Sequence, residues 1–115
     1  MWTKLGETTV QKGSCSSTGA CKWSKAIDKR YHTFAFSNDG AQGVNLTGRT
    51  WIDCKNGVRY EYFLSSAAGP GIFQGLGNSC ENFDVATVNI EVTDVQIPQV
   101  DEARGVTLML YAAEM

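Results

Sequence analysis

At 115 residues the chain, 1–115, has the length of one domain, long enough to bury a core and too short for two. Hydrophobic residues make up 43% and charged residues only 19%, which excludes a disordered chain, and no apolar run approaches the roughly 20 residues of a membrane span. The net charge of −2 is unevenly divided: residues 1–80 hold nine Lys/Arg against five Asp/Glu, and 81–115 hold one Arg against seven acids.

That polarity either orients neighbouring copies or cancels when the two ends of the chain fold side by side. The opening stretch "MWTKLGETTVQKG" has no apolar segment of signal-peptide type, so secretion implies a leader removed ahead of Met1. Trp2 and the cysteines favour that reading.

Cys15, Cys21, Cys54 and Cys80 allow three pairings. Zinc sites built from four cysteines bring their ligands in two close pairs, and only Cys15 and Cys21 are near neighbours here. We therefore expect disulfides, Cys15–Cys21 cinching "CSSTGAC" and Cys54–Cys80 tying a hairpin to a distant segment. Such bridges imply maturation outside a reducing cytosol.

Between them, "KWSKAIDKRY" (22–31) is the one stretch with helical potential. It also interleaves Lys22, Lys25, Lys29 and Arg30 with Trp23 and Tyr31, as a strand-tracking nucleic-acid groove does. The acidic C-terminal third opposes that use, and no nucleic-acid partner is expected.

Strand signals dominate the remainder of the chain. "YHTFAFS" (31–37) alternates and ends at "NDG". Asn45-Leu46-Thr47 is an N-glycosylation triplet. "TWIDCK" and "VRYEYFL" flank Asn56-Gly57, the strongest short hairpin signal. A two-residue turn facing Lys55 with Val58 would line Trp51, Asp53, Tyr60 and Tyr62 along one face and send Asp53 and Glu61 to opposite faces.

The stretch "SSAAGPGIFQGLGNSC" reads as a long loop whose Ile72, Phe73 and Leu76 form an apolar rim. In "VATVNIEVTDVQIP" (85–98) the apolar parity flips, which predicts a β-bulge near Thr93-Asp94, with Pro98 ending the strand. "GVTLMLYAA" (105–113) is apolar on both parities and reads as a central strand or one buried between subunits.

Catalytic patterns are sparse. His32 stands alone, no G-x-S-x-G occurs, no Walker-type lysine follows "GPGIFQGLG", and no cofactor motif is present. Loop carboxylates in "SNDG" and "CENFD" lack the ligand density of a calcium-binding loop.

The expected molecule is an all-β antiparallel sandwich of jelly-roll type with long loops and little or no helix. Its expected role is non-catalytic, without cofactor or metal: a secreted or extracellular recognition module for glycans or a cell-surface protein. Trp51, Asp53, Tyr60 and Tyr62 would form the platform, with homo-oligomerisation raising avidity. A secreted effector, toxin component or inhibitor, or a structural subunit of a pilus, capsid or tail, are the alternatives.

Overall fold

The computed structural model describes residues 1–10, 21–38, 45–64, 71–96 and 106–115. Eight strands succeed one another in these residues: β1 (Trp2–Val10), β2 (Cys21–Ala26), β3 (Tyr31–Asn38), β4 (Asn45–Cys54), β5 (Arg59–Leu64), β6 (Gly71–Gly77), β7 (Val85–Gln96) and β8 (Val106–Glu114). A single 3₁₀ turn, Glu81–Phe83, precedes β7.

The strands form two antiparallel sheets, ordered β1-β8-β3-β6 and β2-β7-β4-β5. Strand 1 thus pairs with 8, 2 with 7, 3 with 6 and 4 with 5, as in one long hairpin rolled into two layers. That is the jelly roll. The segment 22–31, read as a potential helix, is β2, a turn and the first residue of β3.

Alternation along each strand supplies the layer between the sheets. Phe34, Phe36, Leu76, Val106, Leu108 and Leu110 come from one sheet, and Leu46, Ile52, Leu64, Val88, Ile90 and Val92 from the other, all buried. The bulge expected near Thr93 is present: Thr47 pairs with Asp94 and Gly48 with Val92, so Thr93 is the extra residue. Its insertion lets both Val92 and Val95 point inward. Gly48 sits opposite this bulge, where a Cβ would lie 2.0 Å from the Glu91 carbonyl oxygen. β8 is a central strand, between β1 and β3. Its residues alternate fully buried with half-buried, rather than being sealed on both sides.

The hairpin departs from the two-residue reading. Gly57 N–H donates to the Cys54 carbonyl (3.0 Å), Cys54 N–H donates to the Val58 carbonyl (2.8 Å), and Gly57 has φ +91°. This is a three-residue loop closed by a glycine bulge, which pairs Asp53 with Arg59 and Trp51 with Glu61. One extra residue reverses the parity of all of β5.

Cys54 and Cys80 are bonded, joining the end of β4 to the connection between β6 and β7. Asn78 holds that connection in place: its Nδ2 donates to the Tyr31 and Phe83 carbonyls (2.8 and 3.3 Å), and its Oδ1 accepts from Cys80 N–H (3.1 Å). Cys21 is disulfide-bonded as well, and Cys15 lies outside the described residues.

Closing a loop across a sequence separation of 26 residues removes unfolded-state entropy. In the chain-entropy model this is worth about 3.5 kcal/mol. Replacing both Cys54 and Cys80 by Ala should lower urea-derived stability by about 2–4 kcal/mol. An unchanged denaturation midpoint would contradict this role for the bridge.

Candidate functional site

The outward face of the β2-β7-β4-β5 sheet carries Lys22, Ser24 and Ala26 from β2 and Thr87, Asn89 and Glu91 from β7. β4 adds Arg49, Trp51 and Asp53, and β5 adds Arg59, Glu61 and Phe63. The proposed platform is therefore split. Trp51 and Asp53 lie on this outer face, whereas Tyr60 and Tyr62 turn inward and pack against the core. The physical reason is the glycine bulge. Tyr62 serves closure of the sandwich instead, its hydroxyl donating to the Gly77 carbonyl of β6 (3.0 Å).

Trp51 is only 7% exposed although it faces outward. The guanidinium carbons of Arg49 and Arg59 lie 4.6 and 5.3 Å from its ring centroid and cover it. Its indole N–H finds no acceptor among the described residues.

Beside the ring, Ser24 Oγ donates to Asn89 Oδ1 (2.6 Å). Asn89 Nδ2 donates to Thr87 Oγ1 (3.1 Å), the Trp51 carbonyl (3.3 Å) and Asp53 Oδ2 (3.3 Å). A buried amide so placed has its hydrogen-bonding capacity taken up by the protein. A sugar would have to displace two arginines to reach the indole.

The same register puts Asp53 and Glu61 on one face, not on opposite faces. Arg59 reaches both, Nε to Asp53 Oδ1 at 2.8 Å and a second nitrogen to Glu61 Oε1 at 3.8 Å, so the carboxylates share a cation and flank no open cleft. Arg49 bridges Glu61 (2.9 Å) and Glu91 (3.3 Å), and Lys22 reaches Glu91 (3.3 Å).

The apolar rim is rearranged too. Residues 71–77 are strand β6 rather than loop, and 65–70 lie outside the described residues. Leu76 is fully buried in the core, Phe73 stacks on Phe36 with centroids 6.4 Å apart, and Ile72 alone is exposed, at 63%. Phe63, at 90%, stands out on β5, beside a depression of ≈ 80 Å³ bounded by Arg49, Glu61 and Tyr62. In the two-residue register Phe63 shares a face with Ile52 and Cys54 and is left only partly wet. Shifted by one residue, the pattern leaves Phe63 as the exposed large apolar side chain among the charges, Trp51 being covered.

A second concavity of ≈ 360 Å³ lies between the β2–β3 turn, the β4–β5 turn and the segment before β7, lined by Asp28, Lys29, Arg30, Lys55, Asp84 and Val85. Its charges are mixed and largely engaged. Arg30 Nε donates to Asp84 (3.0 Å) and Lys29 to Glu114 (2.9 Å). Those bonds also dismantle the basic patch of 22–31, whose Trp23 meets Phe36 edge-on in the interior and whose Tyr31 is buried. Among the described residues the acidic C-terminal third thus pairs with the basic N-terminal part through Asp84, Glu91 and Glu114, which cancels part of the charge polarity within the fold.

Comparison with protein-family models, with curated proteins and with solved structures returns no match to this chain. Function must therefore be read from the surface itself.

Three outcomes are expected here. Trp51→Ala should cost about 3 kcal/mol in urea denaturation, and a Trp51/Arg49 double-mutant cycle should return a coupling of about 0.5–1 kcal/mol. A zero coupling would mean that the guanidinium merely lies alongside. The hydrogen bond from Arg30, and then its charge, hold the Asp84 pKa below its ordinary value. The stability this contributes is complete above the unfolded carboxylate value near pH 4 and is lost as pH falls through the lower folded value. In an NMR titration Arg30→Gln should move the Asp84 midpoint upward, and an unmoved midpoint would refute the pairing.

Proposed function

We propose that this chain is a non-catalytic structural or attachment subunit that works through protein–protein contact. The observation carrying this reading is where the exposed apolar side chains fall. Apart from Met1, Trp2 and Met115 near the chain ends, the large exposed hydrophobics among the described residues are Val58, Phe63 and Ile72, all on or beside the edge strands β5 and β6. An apolar group exposed as far as Phe63, rimmed by charges, has the character of a protein contact site.

Jelly rolls serve both as capsid building blocks and as lectin domains, so the fold alone supplies only an analogy for either role. The glycan reading has lost its support, because the rings it needed sit on two faces and Trp51 is covered. A buried disulfide suits a protein that works in an oxidising compartment such as a cell or particle surface.

Light scattering over a concentration series, run beside a glycan array, tests this function. Apparent mass should rise with concentration, Phe63→Arg should suppress that rise, and the array should stay blank. A monomer at every concentration, with a glycan signal abolished by Trp51→Ala, would overturn it.

A further inference from the structure

Proteins guard the edges of their sheets against unwanted pairing with lysines, prolines or bulges. Three of the four edges here are guarded in that way. β1 carries Lys4 and a bulge between Lys4 and Gly6, and β2 carries Lys22 and Lys25. β6 is uncharged but bulged, its register shifting where Phe36 and Ser37 pair with Gln74 and Ile72. β5 has no lysine, no proline and no register shift against β4; its two charges, Arg59 and Glu61, are opposite in sign and so do not repel a reversed copy of the same strand, and it exposes Phe63.

β5 is an edge of its sheet, and no described strand pairs with its outer side. Cys54 and Val58 are a hydrogen-bonded pair, so by antiparallel alternation Tyr60 and Tyr62 bond to β4. Arg59, Glu61 and Phe63 then direct their N–H and C=O groups away from the sheet.

We propose that β5 pairs antiparallel with β5 of a second copy of this chain, about a two-fold axis through Tyr60, joining the two β2-β7-β4-β5 sheets into one. Charge selects this register. With Tyr60 on the axis, Arg59 of each copy faces Glu61 of the other, two opposite-charge cross-strand pairs on the outer face. An axis at Glu61 would oppose two carboxylates, and one at Tyr62 would set Glu61 against Phe63.

In the favoured register the local ion network extends across the axis, because Glu61 already holds Arg49 and Arg59 already holds Asp53. Phe63 falls at the level of the partner's Gly57, where even an added Cβ would meet nothing within 4 Å. The contact is isologous, closes on itself and needs no other component. It deepens the assembly reading and rests on it.

Mixed oxidative crosslinking reads the register directly. Arg59→Cys protein mixed with Glu61→Cys protein should form a disulfide-linked dimer, while Arg59→Cys alone should not. Opposed residues in an antiparallel pair lie about 4.5–5.5 Å apart at Cα, within disulfide reach, and Arg59 residues two positions out of register do not.

As a second measurement, Glu61→Arg should lower self-association at least tenfold, and the Arg59→Glu/Glu61→Arg exchange should recover most of it, with circular dichroism confirming that each variant is folded. Absence of the mixed crosslink, or no recovery in the exchange, overturns the pairing. Concentration-dependent mass without that crosslink leaves assembly standing through another surface; a strict monomer removes both.

Discussion

The structure depends on one requirement, that two four-stranded sheets bury a common apolar layer. Side chains alternate along a strand, so once Ile52 and Cys54 are committed to that layer, Trp51 and Asp53 have nowhere to go but outward. Bulges are the only devices that change the assignment within a strand. Thr93 brings Val95 back inside after Val92, and the turn at Gly57 decides which half of β5 meets the core.

The parts of this architecture legible in the sequence are those where alternation is strong. β4, β5 and β7 were readable because apolar and polar residues take turns in the sequence, β3 because an aromatic-rich run ends at a turn signal, and the Thr93 bulge because an inserted residue reverses the order of alternation. The strands that escaped, β1, β2 and β6, are all edges. An edge strand packs only part of one face, so its apolar positions are few and its exposed ones carry Thr, Lys, Ser or Gly. The Cys54–Cys80 bridge is the pairing favoured among the three that four cysteines allow, and spacing by itself did not select it.

The register of the hairpin shows how a correct signal leads to a wrong surface. Asn-Gly serves a two-residue turn in which both residues have positive φ, and it also serves a three-residue loop in which only the glycine does. The physical discriminator was already in the chain. A two-residue turn mixes Arg59 and Glu61 with Ile52 and Cys54, and Asp53 with three rings. The bulged turn places Arg49, Asp53, Arg59 and Glu61 together and leaves both tyrosines with the core. Separation of charge from apolar surface is the cheaper solution, because an unpaired carboxylate between the sheets would lose its hydration.

Once the charges are sorted, Phe63 is the large apolar side chain left exposed on the outer face. Arg49, Arg59, Asp53, Glu61, Glu91 and Lys22 satisfy one another across the outer face, so that face presents little net field, and its tryptophan ring is covered by arginine. Selectivity must then come from shape and from the backbone. A strand edge supplies both, since its N–H and C=O groups accept only another extended chain, and the side chains beside them decide which chain fits. In β5 the neighbouring charges alternate in sign over two residues, a pattern that is its own complement when reversed. A surface that complements itself favours the homotypic partner over a random strand by the difference between opposite and like charges at short range, and it does so without altering the sandwich beneath.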